Sequence, residues 1–513
     1  MKQLPIGIQT LTKILGADYY YVDKTQILAE LVKTGSYYFL SRPRRFGKSL
    51  FLDTLREAFM GNKELFKGLY LENNWDWSKK YPVIRIDFGY GVIKDPRILD
   101  KVILEILQEY SKNESIPLSN ETISGRLREL IIGMEKKYSQ KVVILVDEYD
   151  KPILDNITNT EIAREMREGL RNFYSVIKGT DAYIKFVFIT GVSKFSKVNL
   201  FSGLNNLLDI TLNKRYATIC GYTETELSVF EDRLIDVNRE KLKLWYNGYN
   251  FLGESVYNPF DILLFLESKE FKNYWFEMGN PSFLIELIQK NSYNSININK
   301  ARLTEASLGS FDVDSIELEN LFFQTGYLTI KNVKKYNDNN VYYLTYPNLE
   351  VRKSLTDVIL TYLCNTNTPK EKNKEDLYDI LLANDLEKLK KLFFSFFASI
   401  PHDWYRKNTV ANYEGYYASI FYCYFTAIGL DVRAEDVTNH GQVDMTVFFE
   451  DRVFVFEFKV IEMTESGSAL SQIKEKKYYE KYEEIQNRKI YLIGVEFSKE
   501  NRNITNFEYE ILG

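Results

Sequence analysis

The chain has 513 residues, 45% of them hydrophobic and 27% charged, with a net charge of −5. This is too long for one core, so roughly two to four domains are expected, and no global field draws nucleic acid: any such partner must meet a local patch. No apolar run approaches the length of a bilayer span, two histidines exclude a histidine-rich metal site, and the scattered Cys220, Cys364 and Cys423 read as buried thiols rather than bridges or zinc ligands.

The start, Met1-Lys-Gln-Leu-Pro-Ile-Gly7, has no signal-peptide core, so a reducing cytoplasm and no membrane partner are expected. Tyr19-Tyr-Tyr-Val-Asp-Lys-Thr25 then leads into a helical pattern through Ile27, Leu28, Leu31 and Val32, capped by Asp23 or Thr25. A base-binding lid can sit at such a place; a plain capped helix is the simpler reading.

Residues 37–40 read as a short buried strand. A loop follows, and Lys48-Ser49 opens a helical pattern through Leu52, Leu55 and Phe59. Strand, loop, Gly-Lys-Ser and helix form the context of a phosphate-binding loop, where unpaired N–H groups and the helix dipole favour an anion. The expected nucleotide-binding set is Arg45, Phe46, Gly47, Lys48 and Ser49. Lys48 would reach the β- and γ-phosphates and the Ser49 hydroxyl would ligate Mg²⁺. The full motif has glycine where this chain has Arg42, which leaves a basic surface loop as the alternative.

Tyr81-Pro-Val-Ile-Arg-Ile-Asp87 is the next strand, and two helical patterns follow it. Val142-Val-Ile-Leu-Val-Asp-Glu-Tyr-Asp150 reads as a central parallel strand ending in acid. There Asp147 can hold Mg²⁺ and Glu148 can polarise a water. Lys185-Phe-Val-Phe-Ile-Thr190 is a further strand; Thr190 either senses the γ-phosphate or ends the strand in an ordinary turn. Strand–helix alternation predicts a parallel sheet in an α/β domain over residues 1–215.

Residues 216–399 form a mostly helical middle region. Thr223 and Glu226 match a capping box. A helix end at Leu321-Phe-Phe-Gln-Thr-Gly-Tyr-Leu-Thr-Ile330, a tip at Asn337-Asp-Asn-Asn340 and a return strand outline a winged-helix-like hairpin. It carries Lys331, Lys334 and Lys335, and packing is its favoured role over DNA binding. Residues 364–376 are polar and read as a linker or long surface loop.

The last domain spans residues 400–513. Gly441-Gln-Val-Asp-Met-Thr-Val-Phe-Phe449 and Arg452-Val-Phe-Val-Phe-Glu-Phe-Lys-Val460 are two strand patterns around Glu450-Asp451. A two-residue turn there would set Asp444 opposite Glu457, about 5 Å apart at Cβ, with Lys459 on the same face. Two carboxylates and the Phe458 carbonyl can hold Mg²⁺ or Mn²⁺, and the lysine can stabilise charge on a scissile phosphate. Glu-Asp is an unfavoured tight turn, so a longer loop is the alternative. Glu414, at a helix start, would reach the metal. Gln472, Lys476 and Tyr479 fall on one predicted helical face and would track a phosphate backbone. A further strand is expected at Tyr491-Leu-Ile-Gly-Val-Glu-Phe497.

The chain resembles bacterial and archaeal proteins with an N-terminal AAA-ATPase-like domain and a C-terminal PD-(D/E)XK nuclease-superfamily domain. The residues that carry this are Tyr21-Val-Asp-Lys-Thr25, Arg42-Pro-Arg-Arg-Phe-Gly-Lys-Ser49, Val146-Asp-Glu-Tyr-Asp150, Gln324-Thr-Gly-Tyr-Leu-Thr-Ile330, Tyr346-Pro-Asn-Leu-Glu-Val-Arg352, Gly441-Gln-Val-Asp444 and Glu457-Phe-Lys459. In that family Arg42 is the usual form of the loop. The resemblance implies a RecA/AAA-like core, a nuclease fold with a mixed sheet, and ATP as the preferred nucleotide. The combined expectation is an ATP-binding and hydrolysing protein coupled to a Mg²⁺-dependent nuclease, with Glu148, Asp444, Glu457 and Lys459 catalytic. Nucleic acid is the expected partner, DNA before RNA, and a homo-oligomer is allowed. Defence or repair would suit the pairing. The alternative is an ATP-dependent signalling switch whose nuclease-like domain binds nucleic acid or protein without cutting.

Overall fold

A computed structural model describes the backbone of residues 2–195, 200, 204, 206–277, 287, 301–309, 311–364, 368–400, 414–462, 467–483 and 488–512. The chain forms two compact units, one of residues 1–283 with 302–348 and one of residues 284–301 with 349–513. Residues 216–399, read from the sequence as one middle region, are therefore shared between the two.

The first unit is built on five parallel strands: β1 (Tyr37–Ser41), β2 (Val83–Asp87), β3 (Val142–Asp147), β4 (Ile184–Gly191) and β5 (Leu208–Asp209). Their order is β2-β3-β4-β1-β5. Every residue of β3 is buried, as an aliphatic strand covered on both faces should be, whereas β2 alternates at the sheet edge. This order puts β4 between β1 and β3, so the loop after β1 and the acids after β3 flank the end of β4. Helix α1 (Lys48–Phe59) packs on β3; α2 (Pro96–Glu114), α3 (Ile123–Tyr138) and α4 (Thr160–Gly179) pack on one another.

The 20–22 segment belongs to a core formed largely by later residues. Leu4, Tyr20 and Val22 are buried with Leu227, Phe230, Leu242, Tyr257, Ile262 and Leu266. Of the two predicted caps only the Thr223/Glu226 box forms; the helix Thr25–Thr34 has Lys24 at its N-cap and no side-chain cap bond, and Asp23 sits one residue earlier. Asp23 accepts from the Thr25 N–H at 2.8 Å. Thr223 and Glu226 exchange bonds of 2.8 and 3.2 Å, although the helix they open is a short 3-10 segment, Thr225–Arg233.

Helix α5 (Leu318–Thr325) ends at Gly326, in the left-handed region. The hairpin β7 (Thr329–Tyr336) and β8 (Asn339–Thr345) turns at Asn337-Asp338, both with positive φ, and β6 (Arg302–Thr304) adds to β8. The hairpin packs through one side only: Tyr342 and Leu344 of β8 are buried, whereas β7 is buried at Thr329 and Ile330 and exposed from Lys331 onward.

The second unit holds a mixed sheet ordered β13-β12-β11-β10-β9. Its strands are β9 (Asp431–Thr438), β10 (Gly441–Phe449), β11 (Arg452–Val460), β12 (Lys489–Ser498) and β13 (Asn503–Leu512). All neighbours are antiparallel except β11 and β12. That parallel step needs a crossover, which α9 (Ser468–Glu475) supplies while packing on both strands. Helix α6 (Leu349–Cys364) packs against α8 (Glu414–Ala427), and Phe393 of α7 (Leu386–Ser399) stacks on Phe421 at 3.7 Å. The polar 364–376 stretch is not a simple linker, because a helix, Thr368–Leu382, starts inside it; Pro369 suits a first helical turn. No helix among the described residues is long and apolar enough to cross a membrane.

Candidate active sites

Arg42, where a phosphate loop usually has glycine, is fully buried and works as a scaffold. Its guanidinium donates to the carbonyls of Ser41, Thr211, Tyr216 and Ala217 at 2.8–3.4 Å and lies 3.8 Å from the Phe251 ring centroid. Burial lowers its pKa to about 10, which still leaves it charged at neutral pH. So Arg42 ties the loop to the 211–217 segment rather than offering charge to a ligand. Phe46 also anchors: it is buried edge-on against Tyr249, and its carbonyl accepts from the Gly221 N–H at 3.1 Å.

Gly47, at φ 91°, turns the chain into α1. The buried Lys48 ammonium donates to the carbonyls of Arg42 and Pro43 at 3.0 and 2.9 Å, which holds it across the loop mouth. Burial lowers its pKa, opposed by Glu148 and Asp147. A cavity of about 480 Å³ opens here. Arg45, Phe46, Gly47, Lys48, Ser49 and Glu148 line one part; Ile8, Tyr20, Tyr21, Tyr222, Phe260 and Leu263 line another. A polar, cationic region and an aromatic region in one cavity suit a phosphate tail and a flat ring. Tyr20, Tyr21 and Val22, from the segment read as a base-binding lid or a plain capped helix, line this cavity.

Asp147 and Thr190 are both buried and are not among the residues that line the cavity. The Thr190 hydroxyl has no hydrogen-bond partner among the described residues. Asp147 faces Arg85 at 3.6 Å, and the same guanidinium meets Asp53 at 3.2 Å and Asp87 at 3.4 Å. Glu148 has a positive φ of 48° and a pKa raised by burial, with Lys48 pulling it back. Asp150 accepts from the N–H groups of Val192 and Ser193, fixing the turn after β4. Sequence reasoning missed Arg85, Asp150 and the ring walls Tyr222 and Phe260. The signal for Arg85 was a lone cation in an apolar strand.

In the second unit the two-residue turn forms despite its composition, with Glu450 at φ 51°. β10 and β11 pair from Phe449 with Arg452 down to Met445 with Phe456, which brings Asp444 and Glu457 to the next step of the ladder. Asp444 accepts from the Phe458 N–H at 2.8 Å. Glu457 is 1% exposed; one carboxylate oxygen accepts from Lys459 at 3.1 Å and from the Gln472 amide, and the other has no partner among the described residues. Burial first, then the charge of Asp444, raises its pKa to about 8.

The phosphate-tracking face expected from Gln472, Lys476 and Tyr479 does not form as one helical face. α9 ends at Glu475, Lys476 is its C-cap, and Lys477 has a positive φ of 47°. Gln472 turns to Glu457, Tyr479 packs on a small core with Val453 and Ile473, and Lys476 is exposed. The Glu414 side chain lies outside the described residues. Among the described residues no group of three or more His, Cys, Asp and Glu side chains stands together, so a metal here would rely on Asp444, Glu457 and a main-chain carbonyl.

A predicted AAA-ATPase family model matches residues 5–201, and a PD-(D/E)XK nuclease superfamily model matches residues 412–507. A protein of Azotobacter chroococcum mcd 1, described as an uncharacterized protein in the vnfD 5' region, is 52% identical over 514 residues, covering 100% of this chain and 99% of its own. The chain belongs to the family of AAA-ATPase-like proteins that carry a C-terminal PD-(D/E)XK nuclease-superfamily domain. The AAA-ATPase-like match contains the loop, Glu148 and Thr190, and the PD-(D/E)XK match contains Asp444, Glu457, Lys459 and Gln472.

Proposed function

We propose that the protein couples ATP binding and hydrolysis in its AAA-ATPase-like part to metal-dependent cleavage of nucleic acid, DNA before RNA, in its PD-(D/E)XK part. Glu457 carries the second half: a buried carboxylate with one unpartnered oxygen, next to Asp444 and Lys459. That donor set fits a hard cation. Asp444, Glu457 and the Phe458 carbonyl would hold Mg²⁺ or Mn²⁺, which when bound supplies positive charge to a scissile phosphate and lowers the pKa of a water. Gln472 orients Glu457, and Lys459 stabilises charge on the phosphate. In the other part, Lys48 and the N–H groups opening α1 would bind the β- and γ-phosphates. Ser49 and Asp147 would hold Mg²⁺, Glu148 would orient the attacking water, and the Thr190 hydroxyl would meet the γ-phosphate. The buried free thiols Cys220 and Cys423 favour a reducing cytoplasm, and defence or repair suits the pairing.

The test is a cleavage assay on single-stranded, double-stranded and branched DNA and on RNA, with Mn²⁺, with and without ATP. Wild type is expected to cut at least one substrate. Glu457→Gln and Lys459→Ala are expected to lose about 100-fold or more while ATP hydrolysis persists. A wild-type protein stabilised by metal that cuts nothing would favour a binding-only switch.

A further inference from the structure

The exposed face of the three-stranded sheet in the first unit belongs to neither site. Across that sheet Arg302 pairs with Tyr343, and Lys334 with Val341. Strand alternation puts Lys334 and Tyr336 on one side of β7, and two contacts show that Tyr343 shares it. The Tyr336 and Tyr343 hydroxyls are 3.0 Å apart, and the Lys334 ammonium lies 5.3 Å from the Tyr343 ring centroid. Tyr336 is 52% exposed. The other side carries Leu303, Tyr342 and Leu344, all buried. Lys335 is engaged by Asp338 at 2.8 Å, but Arg302 and Lys334 have no carboxylate partner among the described residues.

Arg302, hydrogen-bonded to Tyr343, and Lys334, over the Tyr343 ring, thus present two cations without a carboxylate partner among the described residues, beside two tyrosines. The charges call for an anionic partner. The open Tyr336 ring narrows the choice: an acidic peptide would use the cations and leave the ring idle, whereas a nucleic-acid strand offers phosphates and flat bases at regular spacing. We propose that this face binds a single strand of nucleic acid, with Arg302 and Lys334 on successive phosphates and Tyr336 stacked on a base. The proposal does not depend on the nuclease reading, since the hairpin lies in the ATPase-like unit.

Fluorescence anisotropy of the full chain tests it in EDTA, so that nothing is cut, using labelled single-stranded DNA, single-stranded RNA and duplex DNA over a salt series. The Arg302→Ala/Lys334→Ala double variant should weaken single-strand binding about tenfold or more. It should also flatten the slope of log K against log salt by about 1.4, the release expected for two phosphates of a single strand. Tyr336→Ala should weaken binding roughly 5- to 100-fold with the slope unchanged, and Tyr336→Phe should restore it. Relative affinity for the DNA and RNA strands identifies the preferred one. ATP binding by each variant verifies the fold. Wild-type affinity and slope in correctly folded variants, or competition by polyglutamate equal to that by the oligonucleotide, would overturn the proposal.

Discussion

The two candidate sites treat buried charge differently. In the ATPase-like unit three buried charges near the loop have fixed protein partners: Arg42 and Lys48 donate to main-chain carbonyls, and Asp147 faces Arg85. At the β10–β11 hairpin one oxygen of Glu457 has no partner, Asp444 adds like charge, and a proton near pH 8 relieves both. The first arrangement is self-sufficient as a structure and spends its ligand on function. The second couples folding stability to whatever cation or proton sits there. Mutation, metal and pH should therefore separate the two.

The largest effects belong to the loop. Lys48→Ala should abolish ATP binding in calorimetry, because it removes the charge held across the loop mouth. Glu148→Gln should bind ATP and lose turnover by roughly 10²–10⁴-fold. Neither should alter metal binding at Asp444 and Glu457, and a parallel loss there would break the contrast. Next comes Arg42→Ala. It leaves four carbonyls without their donor and exposes a cavity beside Phe251, so unfolding of the first unit should become easier by about 3 kcal/mol in denaturant titrations. Unchanged stability would mean that the guanidinium is not the scaffold its bonds suggest.

The smallest effect sharpens the other half of the comparison. The folded pKa of Glu457 lies above its ordinary 4.5, at about 8. Its favourable contribution is therefore complete below pH 4.5 and fades as pH rises towards 8. Without metal, the melting temperature should fall across that window, and Glu457→Gln should remove the slope. Mn²⁺ competes with the proton, so its stabilisation should grow over the same range, to about 2–3 kcal/mol at a hundredfold excess over its dissociation constant. A Mn²⁺ shift independent of pH would place the metal elsewhere.

The sheet of the first unit and the Asp444–Glu457 register were legible because periodicity and turn length are local properties of the chain. Five aliphatic residues in a row announce β3, and a ladder with period two propagates from its turn even when that turn is Glu-Asp. What stayed hidden depends on distant partners. Nothing near Arg42 in sequence reveals that residues 211–217 and Phe251 receive it, and nothing near Tyr222 reveals a shared cavity with Tyr21. The supposed Gln472–Lys476–Tyr479 face failed because helical spacing was projected past Lys477, whose positive φ ends the regular turn. The hairpin was legible in part: its strand pattern was clear and one side of it packs, but that β7 is exposed from Lys331 onward cannot be read from the strand.

Helix α5, which leads into that hairpin, touches the nucleotide loop directly. Gln324 accepts from the Lys194 N–H at 2.8 Å, and a Cβ on Gly326 would fall 2.6 Å from the Pro43 ring, so backbone and loop are in closest possible approach. Any loop movement that accompanies phosphate binding must then be accommodated by the helix end. Binding free energies are reciprocal: if ATP changes the affinity of the hairpin for a strand by some factor, the strand changes the affinity for ATP by that same factor. The glycine–proline contact is thus the place where a movement of the loop would reach the hairpin, and where a substitution at Gly326 would disturb both.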